Sequence, residues 1–197
     1  MRSIRFRSVK ALLEITRQVP FTAERAGFSI FFLPPRSSYT PQSPRLFTDT
    51  IQDNILMGLE ADEALIEQAV HQAVMERDLH DMSTGLQTMV GTKGARPSGG
   101  QVQRTAAARM FVRQPELLVF DDLSSALDVE TERLLWERTF ENAETTCLVV
   151  SHRKSALLRA DHIILLQDGK VAAEGTLQEM LATNTEMQKL WSGIGDE

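Results

Sequence analysis

Apolar and polar positions along the chain fall into short segments of two different periods. Leu117-Leu118-Val119-Phe120 and Thr145–Val150 are compact apolar runs bounded by turn signals, the pattern of strands buried within a sheet. From Ala61 to Leu79 the period lengthens. Leu65, Ile66, Ala69, Val70, Ala73 and Val74 share one stripe, with Glu63, Glu67, Gln68 and Gln72 off it. That spacing predicts an amphipathic helix, and its stripe reads as the core of a helical subdomain rather than a binding groove. Ser98 opens a second helix as N-cap, and Gln101, three residues on, completes a capping box. This helix runs through Ala106, Ala107, Ala108 and Met110 to about Arg113, and Gln114-Pro115 stops it. Val129–Phe140 predicts another helix. Asp168-Gly169, between His162–Gln167 and Lys170–Glu174, carries the signal of a type I′ hairpin. Thr176 with Glu179 forms a second capping box at the start of a tail helix. Strands alternating with helices in this way make an α/β fold.

At 197 residues the chain is one domain, or one domain with a subdomain. It has no run of about 18 apolar residues, so no stretch reads as a membrane span. Its single cysteine, Cys147, sits in an apolar run, which suits a reducing compartment and a packing role. The formal charge of −6 argues against nucleic acid as a partner. Charge is uneven, however. Residues 1–30 hold six Lys/Arg and two Glu, a net +4, so the remaining 167 residues carry −10. Residues 1–30 are therefore set apart as a poorly specified basic segment, and the domain is expected over 31–197, with the helical subdomain at about 48–113.

The chemistry collects at element ends. Gly99 and Gly100 leave the first turn of their helix without side chains, so backbone N–H groups at its positive end stay open to an anion. The strand over Leu117–Phe120 ends in two carboxylates, Asp121 and Asp122, where an open α/β sheet places its ligands. The strand over Thr145–Val150 delivers Ser151-His152 to the same kind of position. His71 and His80 have no partners at ligand spacing and read as surface or satisfied residues.

In order, Ser98-Gly99-Gly100-Gln101, a helix, an apolar strand, Asp121-Asp122 and Ser124-Ser125-Ala126-Leu127-Asp128 resemble the ATPase domain of ABC transporters. They look like its signature motif, Walker B strand and D-loop in register. The likeness extends from about Phe31 to Trp191. Ser38-Tyr39-Thr40-Pro41-Gln42 resembles the Q-loop, and Ser43–Phe47 with Thr50–Ile55 continues it as in exporter-type members. Val90–Gly94 resembles the loop through which exporter domains touch their coupling helices. Ser151-His152 matches the switch histidine.

The resemblance implies a P-loop NTPase-like core with a helical subdomain, and ATP with magnesium as cofactors. Asp121 and Gln42 would serve the metal, Asp122 would orient the hydrolytic water, and His152 would stabilise the γ-phosphate. Ser98, Gly99, Gly100, Gln101 and Asp128 would face nucleotide across a sandwich of two ATPase domains, on the cytoplasmic face of a transmembrane partner. Two departures stand out. Pro97 replaces the usual leucine, and Asp122 stands where the family has a catalytic glutamate, one methylene longer. The family's phosphate loop, G-x-x-x-x-G-K-[ST], has no counterpart in the 197 residues. The core is accordingly expected to be N-terminally incomplete, its first strand, phosphate loop and following helix lost or replaced. Alone, such a chain would not bind ATP well. Alternative readings are a non-catalytic or decayed subunit acting as a partner half-site, and a fragment of an SMC-like chromosome ATPase. The latter group carries long heptad coils, absent here, and lacks the blocks at Gln42 and Gly91.

Overall fold

The computed structural model describes residues 10–15, 36–91, 94–141 and 146–193. The elements in chain order are β1 (Lys10–Ile15), β2 (Ser37–Thr40), α1 (Ile51–Leu56), α2 (Glu63–Gln72) and α3 (Glu76–Asp81). Then come α4 (Gly99–Phe111), β3 (Leu117–Asp121), α5 (Val129–Glu141), β4 (Thr146–Ser151) and α6 (Lys154–Leu157). The described elements end with β5 (His162–Gln167), β6 (Lys170–Gly175), α7 (Leu177–Thr183) and α8 (Thr185–Gly193).

Among the described residues six strands form one sheet in the order β2-β3-β4-β1-β5-β6. β2, β3 and β4 run parallel, so their C-terminal ends share one edge. β1 lies between β4 and β5 and runs antiparallel to both. Lys10–Ile15 belongs to the segment set apart on charge, yet it sits in the middle of the sheet. β5 and β6 form the expected hairpin, with Asp168 at φ 50° and Gly169 at φ 76°, both left-handed as a type I′ turn requires.

Burial in β4 alternates, with Cys147, Val149 and Ser151 on the covered face. The helices close that face through an aromatic stack. Phe120 meets Trp136 edge-on at 5.3 Å, and Trp136 lies parallel to Phe140 at 6.1 Å. Ile51, Ile55, Ile66, Ala69, Val70 and Met75 from the helical stretch join the same apolar cluster as Phe120, Val149 and Ile163 from the sheet. The helices of the 48–113 stretch therefore share one core with the strands.

Two helix boundaries differ from the sequence reading. The expected single helix over 61–79 is two, because Val74 takes φ 58° and turns the chain. The Met75 N–H donates to the Val70 carbonyl at 3.1 Å, the long-range bond of a Schellman ending, and Met75 itself is fully buried. Burying Met75 offsets the strain of a β-branched residue at positive φ. α4 ends at Phe111 rather than Arg113, and Gln114 at φ 44° redirects the chain toward β3.

Candidate functional site

The parallel edge gathers four of the expected residues. β3 ends at Asp121, and Asp122 follows at φ 52°, with its N–H donating to the Val150 carbonyl of β4 at 2.9 Å. A non-glycine residue held in that conformation is the kind of local strain that collects at functional sites. The turn buries the Asp122 side chain, and its two oxygens meet two different elements. Oδ2 accepts from Gln42 Nε2 at 2.9 Å, just after β2. Oδ1 stands 4.0 Å from His152 Nδ1, just after β4, and is buried without a hydrogen-bond partner. The His152 ring itself is half exposed. Asp121 accepts at Oδ2 from the Tyr39 hydroxyl at 3.3 Å. Partial burial, and then the Asp121 charge, push the Tyr39 phenol above its ordinary value.

The start of α4 is built as its sequence dictates. The Ser98 hydroxyl accepts from the Gln101 N–H at 3.2 Å, and the Ser98 N–H donates to Gln101 Oε1 at 2.9 Å. Both halves of the capping box are present. Gln101 Nε2 donates to Asp78 Oδ1 at 3.3 Å, so its amide serves the cap and α3 together. A Cβ at Gly99 would meet only the Ala126 methyl, at an ordinary 3.5 Å. One at Gly100 would stand 3.2 Å from the Ala126 carbonyl. The first turn of α4 therefore lies against the Leu123–Ala126 turn that leaves the carboxylates. Asp128 caps α5, with Oδ1 accepting from the Thr131 N–H at 2.9 Å and Oδ2 from its hydroxyl at 2.7 Å. These bonds, the hydroxyl's first, hold the Asp128 carboxyl below the usual range.

Several contributors escaped the sequence reading. Arg104 grips Asp78 through Nε at 2.6 Å and a terminal nitrogen at 2.8 Å, fixing α4 on α3. Gln103 Oε1 accepts from the Ala126 N–H at 3.1 Å. Arg109 and Arg113, both lowered by burial, donate to the Asn54, Ile55 and Leu56 carbonyls that end α1. The spacing of Gln103, Arg104, Arg109 and Arg113 places them along one helix but says nothing of their partners. For Asp78 and Tyr39 no local signal exists.

Adjacent carboxylates at a strand end, with a buried Asp122 oxygen lacking a hydrogen-bond partner, fit a hard divalent cation that binds oxygen. Among the described residues no group of three or more His, Cys, Asp or Glu forms a metal cage by itself. Magnesium carried by phosphate oxygens needs only one or two carboxylates, so the donor set agrees with a metal-nucleotide ligand. Fold and site together define an α/β nucleotide-binding domain of the P-loop NTPase kind.

The chain belongs to the ABC transporter family, whose model matches residues 27–125. It is 43% identical over 148 residues to a probable multidrug resistance ABC transporter ATP-binding/permease protein, YheI, of Bacillus subtilis. That alignment covers 74% of this chain and 25% of YheI. With the mitochondrial iron-sulfur clusters transporter ATM1 of Candida glabrata it shares 37% identity over 156 residues, 77% of this chain and 22% of the relative. The structure of a bacterial Atm1-family ABC exporter with ATP bound superposes with a TM-score of 0.77 at 32% identity. It covers 82% of this chain and 29% of the exporter. The chain thus spans about a quarter or less of the length of these curated relatives. It is an exporter-like ABC ATP-binding domain, and nucleotide and magnesium are the ligands of its family. No helix among the described residues is long and apolar enough to cross a membrane.

Proposed function

We propose that this chain supplies the signature side and the carboxylate edge of an ABC exporter's ATPase, completing a nucleotide site jointly with a second ATPase domain and relaying its state to a transmembrane domain. The supporting observation is the meeting of Gln42, Asp122 and His152 around one buried carboxylate, on three neighbouring strand ends. Asp121 and Gln42 would hold magnesium, which when bound offsets phosphate charge. Asp122, gripped by Gln42, orients water at the phosphate, and half-exposed His152 donates toward the γ-phosphate. The N–H groups of Gly99 and Gly100, with the Ser98 hydroxyl and the positive end of α4, receive a phosphate that a partner's phosphate loop presents, and Gln101 contributes by holding Ser98 in place. Asp128 sets the start of α5 beside this surface. Half-exposed Phe47, Met57 and Met89 lie around α1 and form the face proposed for the transmembrane partner. Assembled this way, the chain lies at the cytoplasmic surface of a membrane.

Asp122 also favours a second reading, in which the half-site binds nucleotide without turning it over. Its carboxylate is one methylene shorter than the usual glutamate and already engages Gln42. Sedimentation of this chain with an exporter ATPase domain that has an intact phosphate loop tests the main reading. Association should require ATP and should be abolished by Gly99→Arg, whose melting temperature stays close to the parent's because that position meets only Ala126. Association indifferent to the substitution would overturn it. Single-turnover hydrolysis by the mixed pair separates the two readings. Equilibrium dialysis of the chain alone should find only weak ATP binding, and micromolar affinity with turnover would contradict a shared site.

A further inference from the structure

Glu132 is a buried charge that the proposed chemistry does not use. It lies on α5, one turn beyond Asp128, and its N–H donates to the Asp128 carbonyl at 2.9 Å. Its side chain is 3% exposed, and three donors converge on it. The Ser155 hydroxyl donates to Oε1 at 2.5 Å, and Trp136 Nε1 to the same oxygen at 3.3 Å. An Arg153 terminal nitrogen donates to Oε2 at 2.8 Å. Arg153 directly follows His152, and its N–H donates to the Ser151 hydroxyl at 3.1 Å. Trp136 is itself locked between Phe120 and Phe140, so the carboxylate hangs from a rigid part of the core. A second, more exposed contact links α5 to the chain just after α6, with Arg159 standing 4.0 Å from Glu137.

We infer that Glu132 is a positioning residue that clamps the chain after His152 to the helix capped by Asp128, so that the switch histidine and the Leu123–Asp128 turn move as one body. This rests on the proposed function for its consequence, though not for its geometry. The histidine loop leaves β4 and the 123–128 turn leaves β3, so each could otherwise shift independently on its own strand end. Tying both to one turn of α5 keeps His152 beside Asp122 whenever the turn moves. Misplacement of about 1 Å at a reacting centre lowers rates on the order of a hundredfold, so such a link matters to turnover more than to binding.

Hydrogen exchange on the full chain tests the clamp without nucleotide. Glu132→Gln keeps the shape but turns an amide toward the Arg153 guanidinium, and Ser155→Ala removes one donor without touching α5. In Glu132→Gln, amides of 123–128 and 151–155 should exchange faster together, by about tenfold, with the central sheet unchanged. Ser155→Ala should shift both segments the same way by less. Acceleration of only one segment, or of the whole fold evenly in both variants, would overturn the inference. In the mixed pair with an intact ATPase domain, Glu132→Gln should lower the rate at saturating ATP about tenfold while leaving the half-saturating ATP concentration unchanged. A rise in that concentration at constant maximal rate would count against positioning. If the parent pair fails to assemble with ATP, the proposed function falls, while the exchange result still decides the clamp.

Discussion

The Asp78–Arg104 pair should behave as a coupled unit whose loss loosens the start of α4. Both side chains are largely buried, 12% and 13% exposed, and the carboxylate receives two charge-assisted bonds, at 2.6 and 2.8 Å. Gln101 adds a third contact at 3.3 Å. Hydrogen bonds to charged groups contribute roughly 1.5–3 kcal/mol each, which would give about 3–6 kcal/mol for the two strong ones. The pair is not fully desolvated, and a released Arg104 can swing its head into water along its own stem. Asp78→Ala should therefore cost about 2–3 kcal/mol, with Arg104→Ala similar. Urea unfolding followed by circular dichroism on the two single variants and the double variant gives the coupling energy, expected at about 1.5 kcal/mol. Additivity to within about 0.3 kcal/mol would mean that the bidentate geometry carries no stability.

Three further outcomes follow from individual environments. Asp128→Ala strips the cap from α5 and should cost about 1 kcal/mol near neutral pH. Because Thr131 holds the Asp128 carboxyl below its ordinary value, this contribution is full above the unfolded-state value of about 3.9 and is lost as pH falls through the folded value. The melting-temperature gap between parent and variant should therefore close in acid, and a gap that widens would refute the assignment. Cys147, the chain's one cysteine, is fully buried and its thiol is raised by burial. It should ignore Ellman's reagent in the native state and react once in guanidinium, whereas rapid native labelling would contradict its place in β4. Leu13→Pro removes a donor from a strand paired on both sides, and should cost about 3 kcal/mol or more and blunt the cooperative unfolding transition. An unaffected transition would deny β1 its central position.

What the sequence made legible was what neighbours along the chain encode. Ser98 with Gln101, Thr176 with Glu179, and Asp168-Gly169 each specify a structure within four residues, and all three formed. The buried strands ending at Asp121 and Ser151 were legible because a doubly covered strand needs an unbroken apolar run. The break at Val74 was not, since a left-handed residue there carries no glycine and is held by the burial of Met75, a tertiary effect. Asp78 and Glu132 looked like ordinary acidic positions on helix faces, because their partners Arg104, Arg153 and Ser155 lie more than twenty residues away. Motif order named Gln42, Asp122 and His152, and only the sheet placed Asp122 between the other two. The charge boundary near residue 30 gave no hint that Lys10–Ile15 pairs with β4 and β5, because strand pairing depends on registers that local composition does not record.

The direction of β1 bears on how nucleotide could reach this site. Ala11 pairs with Ser151 and Lys10 with Leu166, so the strand's first residues lie at the edge that carries Asp121, Asp122 and His152. Ile15 pairs with Cys147, toward the opposite edge. A phosphate-binding loop in an α/β sheet follows the C-terminal end of a strand that runs parallel to its neighbours, and opens the next helix there. The C-terminal end of β1 lies at the opposite edge, so β1 is not a strand of this kind. Meanwhile Gly99 and Gly100, in the first turn of α4, lie beside the turn that leaves the carboxylates, at the helix end that favours an anion. Strand direction therefore joins motif content in supporting the proposed site shared between two domains.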